Sequence, residues 1–240
     1  MGVDEQAREQ AILDVTAELL LRHGYNKVTM SDVAHAVGLN RRLVYLPFPS
    51  KDALIKALLL RELHTYAEVW NLYLETDPRG GTVASVYRGL LATLQQLPLM
   101  AAMYRRDPQI FGRYLSRPGS FFAHWPPDPG PTREYLLAMQ GVGAVRQDIN
   151  TRAVAFILDA LAPSILAALS SRTKAPLDDS TRPDQPSFDE LVDTVAELCE
   201  CLLTPKAGAN LAAGKVIMLQ KIAEAQVKFS DADDTEGNNQ

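Results

Sequence analysis

The sequence has little of several features that mark common protein classes. It has two cysteines and four histidines in 240 residues, and neither type occurs at the spacing of a metal or redox motif. No stretch has the length and apolar composition of a transmembrane helix, and the acidic N-terminus lacks the basic start and apolar run of a secretory signal. We therefore expect a cytoplasmic protein with two buried thiols, no metal, no cofactor and no membrane association.

The chain also lacks a strong charge of one sign. Its formal net charge is −5 at pH 7, which argues against a general nucleic-acid coat protein and leaves room for a local basic site on an acidic body. The sequence contains no nucleophile elbow, no phosphate-binding loop and no convincing acid–base pair. These absences indicate a protein that is not an enzyme.

Helical periodicity is what the chain has throughout. Apolar residues recur at helical spacing between proline and glycine breaks, and no convincing two-residue alternation occurs. Hydrophobic residues make up 47% of the sequence, which is ample for a large core, so an all-α fold is predicted. The predicted helices cover about 7–23, 29–37, 40–46, 51–74, 82–97, 98–106, 108–115, 131–144, 151–171, 187–203 and 206–228.

The most informative stretch is residues 29–46. Two short helices joined by a tight turn need a small residue where they touch, which Ala34 supplies, and a residue that tolerates the bend, which Gly38 supplies. The second helix can then enter the DNA major groove, where arginine pairs with guanine edges or phosphates. The residues predicted on the outer face of this second helix are Asn40, Arg41, Arg42 and Leu46. The alternative is an ordinary helical hairpin with a solvated polar end.

The flanking residues resemble the TetR (tetracycline-repressor) family. Residues 44–54, VYLPFPSKDAL, are similar to its signature of a leucine-tyrosine pair, a Phe, a Ser-Lys pair and an acidic residue before a long helix. Upstream, Gly24, Tyr25 and Thr29 fall where the family has a Gly-aromatic turn and a Thr-initiated second helix. The resemblance covers about residues 7–60.

The resemblance implies an N-terminal three-helix helix-turn-helix DNA-binding domain joined by a long helix to a larger helical ligand-binding and dimerisation domain. The predicted boundaries are 1–50 and 51–229, followed by a disordered acidic tail at 230–240. The implied function is a ligand-responsive transcriptional regulator, most simply a repressor, that binds a palindromic operator as a homodimer and is released by a small-molecule effector. An interaction protein with a degenerate helix-turn-helix and weak or no specific DNA binding is the alternative, because Leu43, Leu46 and Pro47 depart from the family pattern.

The resemblance also implies roles for single residues in binding double-stranded DNA. Thr29 would cap the second helix and touch a phosphate, Tyr45 would support the recognition helix, and Lys51 would reach a phosphate from the start of the fourth helix. Leu46 could meet a thymine methyl group. The predicted DNA-binding residues are Thr29, Ser31, Asn40, Arg41, Arg42, Leu43, Tyr45, Leu46 and Lys51.

Dimer contacts are implied on the last two principal helices, about 151–171 and 187–203. Each has a broad apolar stripe, and two such helices per subunit can form a four-helix bundle across a two-fold axis. The stripes could instead face only the core of the subunit. The predicted dimer residues are Ile157, Leu161, Ile165, Leu191, Val195, Leu198 and Leu202.

The effector site is predicted from aromatic and methionine residues, although such residues at helical spacing are usually core. The loop 116–131 has five prolines yet three large aromatic residues, which is unusual for a solvated linker, and loops over pockets often have a function. A pocket with many aromatic residues and few charges suits an apolar or aromatic effector. The predicted effector-binding residues are Tyr66, Trp70, Met103, Tyr104, Phe121, Phe122 and Trp125.

Overall fold

A computed structural model describes residues 3–123, 130–172 and 186–234 of the chain. These residues contain eleven α-helices, two short 3₁₀ helices at Gly112–Ser116 and Phe121–Ala123, and no strand, which confirms the predicted all-α fold. Within the described ranges, no helix is both long and apolar enough to cross a membrane. The helices are α1 (Val3–His23), α2 (Met30–Val37), α3 (Arg41–Tyr45), α4 (Lys51–Thr76), α5 (Val83–Gln96), α6 (Pro98–Arg105), α7 (Pro108–Phe111), α8 (Gly130–Gly141), α9 (Thr151–Arg172), α10 (Phe188–Leu203) and α11 (Leu211–Asp234).

The end of the chain differs from the sequence prediction. Helix α11 begins at Leu211 rather than at about residue 206 and continues to Asp234. Residues 230–234, which were predicted as part of the acidic tail, therefore belong to a helix, and residues 235–240 lie outside the described residues.

The chain divides into two compact units whose limits differ from the predicted domains. The first unit comprises Met1–Thr65 with Pro98–Pro126, and the second comprises Tyr66–Leu97 with Pro127–Gln240. The boundary between them thus falls inside α4 rather than at residue 50. The first unit extends beyond the three-helix domain because α6 and α7 pack on α1, and the segment after α7 contacts the turn that follows α1.

The core of the first unit joins the N-terminal helices to the start of α4. Ile12 and Leu20 of α1, Val33 of α2, Val44 of α3 and Ile55 of α4 are all fully buried. Four helices therefore share one cluster of apolar side chains, which lets the short α2 and α3 be stable in a small domain. Removing any of these helices would expose the apolar face of its neighbours.

A close backbone contact ties the turn after α1 to α7. Gly24 ends α1 with a φ of 75°, and a Cβ atom on it would lie 2.4 Å from the carbonyl oxygen of Gln109. The adjacent N–H of Tyr25 donates to the carbonyl oxygen of Ile110 at 2.7 Å. Glycine is therefore required at position 24 both by its left-handed conformation and by the approach of another backbone.

We expect Gly24→Ala to destabilise the protein more than Gly38→Ala. Both glycines have a φ above 70°, so alanine carries the left-handed penalty of about 1–2 kcal/mol at each. Only Gly24 meets another atom, because a Cβ at Gly38 has nothing within 4 Å. The added overpacking raises the expected loss at Gly24 to about 2–5 kcal/mol. Urea unfolding followed by circular dichroism measures the difference, and equal losses would contradict the docking of α7 on this turn.

The second unit is built around the pairing of α5 with α10. Helix α8 packs against α9 and α11, and α5 also contacts α9. A Cβ on Gly81 would lie 1.9 Å from the carbonyl oxygen of Leu211, so the start of α11 packs directly on the turn that precedes α5. Helix α11 is therefore part of this unit.

The two cysteines occupy different environments on α10. Cys199 is buried and Cys201 is exposed, so the prediction of two buried thiols is wrong for Cys201. Residues two apart on a helix point about 200° away from each other, which explains why only one faces the interior. Burial raises the pKa of the Cys199 thiol to about 11.

Candidate nucleic-acid interface

The start of α2 is fixed by a capping box between Thr29 and Asp32. The Thr29 hydroxyl accepts from the Asp32 backbone N–H at 3.2 Å, and the Asp32 carboxylate accepts from the Thr29 backbone N–H at 2.9 Å. The Thr29 hydroxyl also donates to the Asp32 carboxylate at 2.7 Å, and this bond, followed by the one from the Thr29 backbone N–H, lowers the pKa of Asp32. The sequence prediction that Thr29 caps this helix is confirmed.

The turn between α2 and α3 has the geometry that the sequence predicted. Gly38 adopts a left-handed conformation with a φ of 73°, and the following Leu39 N–H donates to the carbonyl oxygen of Ala34 at 2.9 Å. The Asn40 side chain then caps α3 by accepting from the Leu43 backbone N–H at 3.1 Å. Helix α3 has five residues and ends before Pro47.

Helix α3 buries one face and presents the other to solvent. Val44 is fully buried, whereas Arg41 and Arg42 are exposed, and Leu46 immediately after the helix is 63% exposed. Of the other predicted DNA-binding residues, Leu43 and Lys51 are half-buried and the rest are exposed. The exposed ones are Thr29, Ser31, Asn40 and Tyr45. The helix thus offers an arginine-rich face to a partner, and its contact with DNA stays a prediction.

Arg41 and Tyr45 form a pair one turn apart on this face. The Arg41 guanidinium carbon lies 5.9 Å from the centre of the Tyr45 ring, and the tyrosine is 39% exposed. A cation–π contact at this distance is a weak restraint at an exposed site. It favours one orientation for both side chains at the surface proposed to meet DNA.

Lys51 at the start of α4 contacts the turn after α1. Its ammonium donates to the carbonyl oxygen of Tyr25 and lies 3.9 Å from the centre of the Tyr25 ring. Burial and the positive charge of Arg113 lower the pKa of Lys51. An ammonium has three N–H donors, so two remain for a phosphate after the bond to the carbonyl.

Tyr25, Asp52 and Arg117 form a hydrogen-bonded cluster beside Lys51. The Tyr25 hydroxyl donates to the Asp52 carboxylate, and Arg117 donates to the Tyr25 hydroxyl and to Asp52, each at 2.9 Å. Burial, then Asp52, raises the pKa of Tyr25. The sequence analysis missed this cluster, since Tyr25 and Arg117 are 92 residues apart and no local pattern connects them.

The predicted effector-binding residues divide between the two units. Tyr66 and Trp70 belong to the second unit, and Trp70 is only 1% exposed. Met103 and Tyr104 belong to the first unit, as do the buried Phe121 and Phe122, and Trp125 lies outside the described residues. The effector site stays a prediction.

The two loop phenylalanines are part of an aromatic cluster in the first unit. The Phe122 ring centre lies 4.9 Å from that of Phe111, 5.7 Å from that of Phe121 and 6.1 Å from that of Tyr114. These are edge-to-face distances that contribute to stability. The unusual aromatic content of the loop is therefore explained at least in part by packing.

One cleft in the second unit has a different character from the predicted pocket. Its volume is about 390 Å³, and none of the seven predicted effector residues lines it. An ion pair between Arg79 and Glu200 joins two of its lining residues, and the lining Arg88 forms an ion pair with Asp193. The lining residues are Tyr73, Asp77, Arg79, Thr82, Ala84, Ser85, Arg88, Ala196, Glu197 and Glu200.

The predicted dimer residues separate into an exposed group and a buried group. Ile165 and Val195 are each 8% exposed and so contribute to the interior of the unit, and Leu191 is half-buried. The exposed group is joined by Phe156, which the sequence analysis did not single out and which is 68% exposed. The exposed residues are Ile157, Leu161, Leu198 and Leu202.

Comparison with known proteins finds similarity to bacterial transcriptional regulators. Residues 12–58 match the family model for bacterial regulatory proteins of the tetR family. The chain is 26% identical over 171 residues to the HTH-type transcriptional repressor Rv1474c of Mycobacterium tuberculosis, an alignment that covers 69% of this chain and 83% of that protein. A crystal structure of a tetR family transcription regulator from Shewanella sp. PV-4 has a similar fold, with a TM-score of 0.53 and 13% identity over 82% of this chain and 99% of that one.

Proposed function

Because the chain is a transcriptional regulator that belongs to the tetR family of bacterial regulatory proteins, we propose that it represses transcription by binding a palindromic operator as a homodimer, and that a small-molecule effector releases it. The observation that carries the proposal is the orientation of α3. Val44 is buried while Arg41 and Arg42 are exposed, so the polar face is available to a DNA groove. Arginine is the side chain that most often reads guanine in the major groove.

The proposed DNA contacts divide into those that read bases and those that position the protein. Arg41 and Arg42 lie at the start of α3, where a recognition helix contacts base edges. Thr29 and Lys51 lie at the starts of α2 and α4, where helix dipoles favour a phosphate. The first pair would set sequence preference and the second pair would set affinity and its salt dependence.

Homodimer formation is supported by the exposed apolar side chains on α9 and α10. Phe156 and Ile157 are 68% and 54% exposed, and Leu198 and Leu202 are 61% and 51% exposed. Grouped exposed apolar residues on soluble proteins mark interaction sites. A two-fold dimer through this face would present two recognition helices to a palindrome, with half-sites one DNA turn, about 34–36 Å, apart.

Release by an effector is proposed because α4 takes part in both units. The helix begins at Lys51, beside the proposed DNA contacts, and contains Tyr66 and Trp70 further along. Among the described residues, the buried indole N–H of Trp70 has no hydrogen-bond partner, so an acceptor on a ligand would satisfy a donor that is costly to leave alone. A ligand that favours one position of α4 would shift the population between DNA-binding and released forms.

The proposed function is tested with DNA duplexes selected by the protein from a random pool. We expect selection of a palindrome, binding of two chains per duplex, and affinity that falls steeply with salt for both selected and random duplexes. Equal affinity for selected and random sequences, or no binding at all, would instead favour an interaction protein with a degenerate helix-turn-helix. An effector found by thermal-shift screening should lower the affinity for the selected duplex. A bound compound that leaves this affinity unchanged would contradict release.

A further inference from the structure

Three cationic side chains surround the ring of Tyr25. The Lys51 ammonium lies 3.9 Å from the ring centre, and the Arg113 guanidinium carbon lies 6.0 Å from it. Arg117 donates to the Tyr25 hydroxyl at 2.9 Å. These residues come from the α1–α2 turn, the start of α4 and the segment after α7, all within the first unit.

The positive charge of this cluster is only partly neutralised. Asp52 pairs with Arg117 at 2.9 Å. Arg113 is exposed and, in the part of the chain that the structure describes, makes no ion pair. Burial first, and then repulsion from Arg113 and Arg117, lowers the pKa of Lys51. A basic site of this kind on a chain with a net charge of −5 favours an anionic partner.

Arg113 contacts the turn that leads to Thr29 and shares a tyrosine ring with Lys51. Its N–H donates to the Asn26 side-chain oxygen at 3.4 Å, and Asn26 precedes Thr29 by three residues. A Cβ on Gly112 would lie 2.5 Å from the Asn26 amide nitrogen, so the two segments are in direct contact. Arg113 and Lys51 lie against the same tyrosine ring.

We propose that Arg113 binds a DNA phosphate next to those contacted by Thr29 and Lys51, so that the DNA-binding surface extends beyond the helix-turn-helix to the segment after α7. This inference rests on the proposed function. A bound phosphate would offset the repulsion between Arg113 and Lys51, and so would stabilise two cations that lie against the same tyrosine ring. Contact with the backbone has no sequence preference, so Arg113 strengthens binding to every duplex equally. Arg117 has a different role, because its guanidinium is already held by Asp52 and Tyr25.

The test compares Arg113→Gln with Arg113→Lys, which keeps the charge, and with Arg133→Gln as a matched control. Arg133 is an exposed arginine on α8 in the second unit. Fluorescence anisotropy measures affinity for a selected palindrome and for a random duplex between 50 and 200 mM salt. Loss of one phosphate contact makes the fall of log K with log salt less steep, by about 0.9 in slope for each bound subunit. The ratio of the affinity at 50 mM salt to the affinity at 200 mM salt then falls about threefold per subunit.

We expect Arg113→Gln to show this change on both duplexes, with Arg113→Lys and Arg133→Gln close to wild type and all melting temperatures equal. A wild-type slope for Arg113→Gln would overturn the inference and leave the proposed function intact. A loss confined to the selected duplex would also overturn it, because that pattern indicates base reading. If the wild-type protein binds neither duplex, the proposed function fails together with this inference.

Discussion

Replacing both Leu198 and Leu202 with aspartate is expected to convert the proposed homodimer into monomers and to abolish binding to the proposed operator. Both leucines lie on α10, one turn apart, and are more than half exposed in the single chain. In the proposed dimer they would be buried, so the variant would place four carboxylates in an apolar contact. An uncompensated buried charge costs about 3–5 kcal/mol, which is at least about a hundredfold in the dimer dissociation constant.

Light scattering after gel filtration measures the mass, and anisotropy with a selected palindrome measures DNA binding. Leu72→Asp is the matched control, because Leu72 is 62% exposed on α4, outside the two helices of the proposed dimer. The control should remain dimeric and bind DNA. A double variant that still elutes as a dimer would show that α10 does not form the contact.

Arg41→Ala and Arg42→Ala are each expected to weaken operator binding by about 1–3 kcal/mol, or about 5- to 150-fold, if each arginine contacts a base through two hydrogen bonds. Both side chains are exposed at the start of α3, and Asn40 holds this end of the helix in place. Arg41→Ala also removes the contact with the Tyr45 ring, so its effect includes a looser Tyr45.

Comparison of selected and random duplexes distinguishes base reading from phosphate binding. A base contact lowers the ratio of the two affinities, whereas a phosphate contact lowers both affinities by the same factor. Arg133→Ala, which removes an exposed arginine on α8, should have no effect on either duplex. Wild-type binding by both α3 variants would show that α3 is not the recognition helix.

The helix ends near the proposed DNA contacts follow from local sequence. Thr29, Asn40 and Ser50 each accept from a backbone N–H three residues later, and Gly38 adopts the left-handed conformation that ends α2. Such hydrogen bonds span a few residues, so residue type and spacing are sufficient to predict them. The spans of α2, α3 and α4 were predictable for the same reason.

Contacts between distant segments were not predictable from the pattern. The packing of residues 98–126 with the first 65 residues brings Arg117 to Tyr25 and Arg113 to Asn26. A surface arginine looks the same in sequence whether it is solvated or placed beside another cation. The proposed extension of the DNA-binding surface therefore depends on the tertiary structure alone.

The dimer prediction shows the same limit from the apolar side. The apolar stripes on α9 and α10 were visible as helical periodicity, but each stripe is wide enough to face two neighbours. Only the burial of each side chain in the structure distinguishes Ile165 and Val195, which face the interior, from Leu198 and Leu202, which are exposed. Helical periodicity indicates that a helix face is apolar, but it does not indicate whether the subunit core or another subunit covers that face.

The helix-turn-helix, its arginine-bearing face and the all-α class were thus determined by the sequence itself, because they depend on short-range hydrogen bonds and helical spacing. The extent of the first unit, the surroundings of Lys51 and the division of the apolar stripes were decided only by the tertiary structure. These features depend on which segments far apart in the chain come into contact, and the residue pattern within one segment has no information about that.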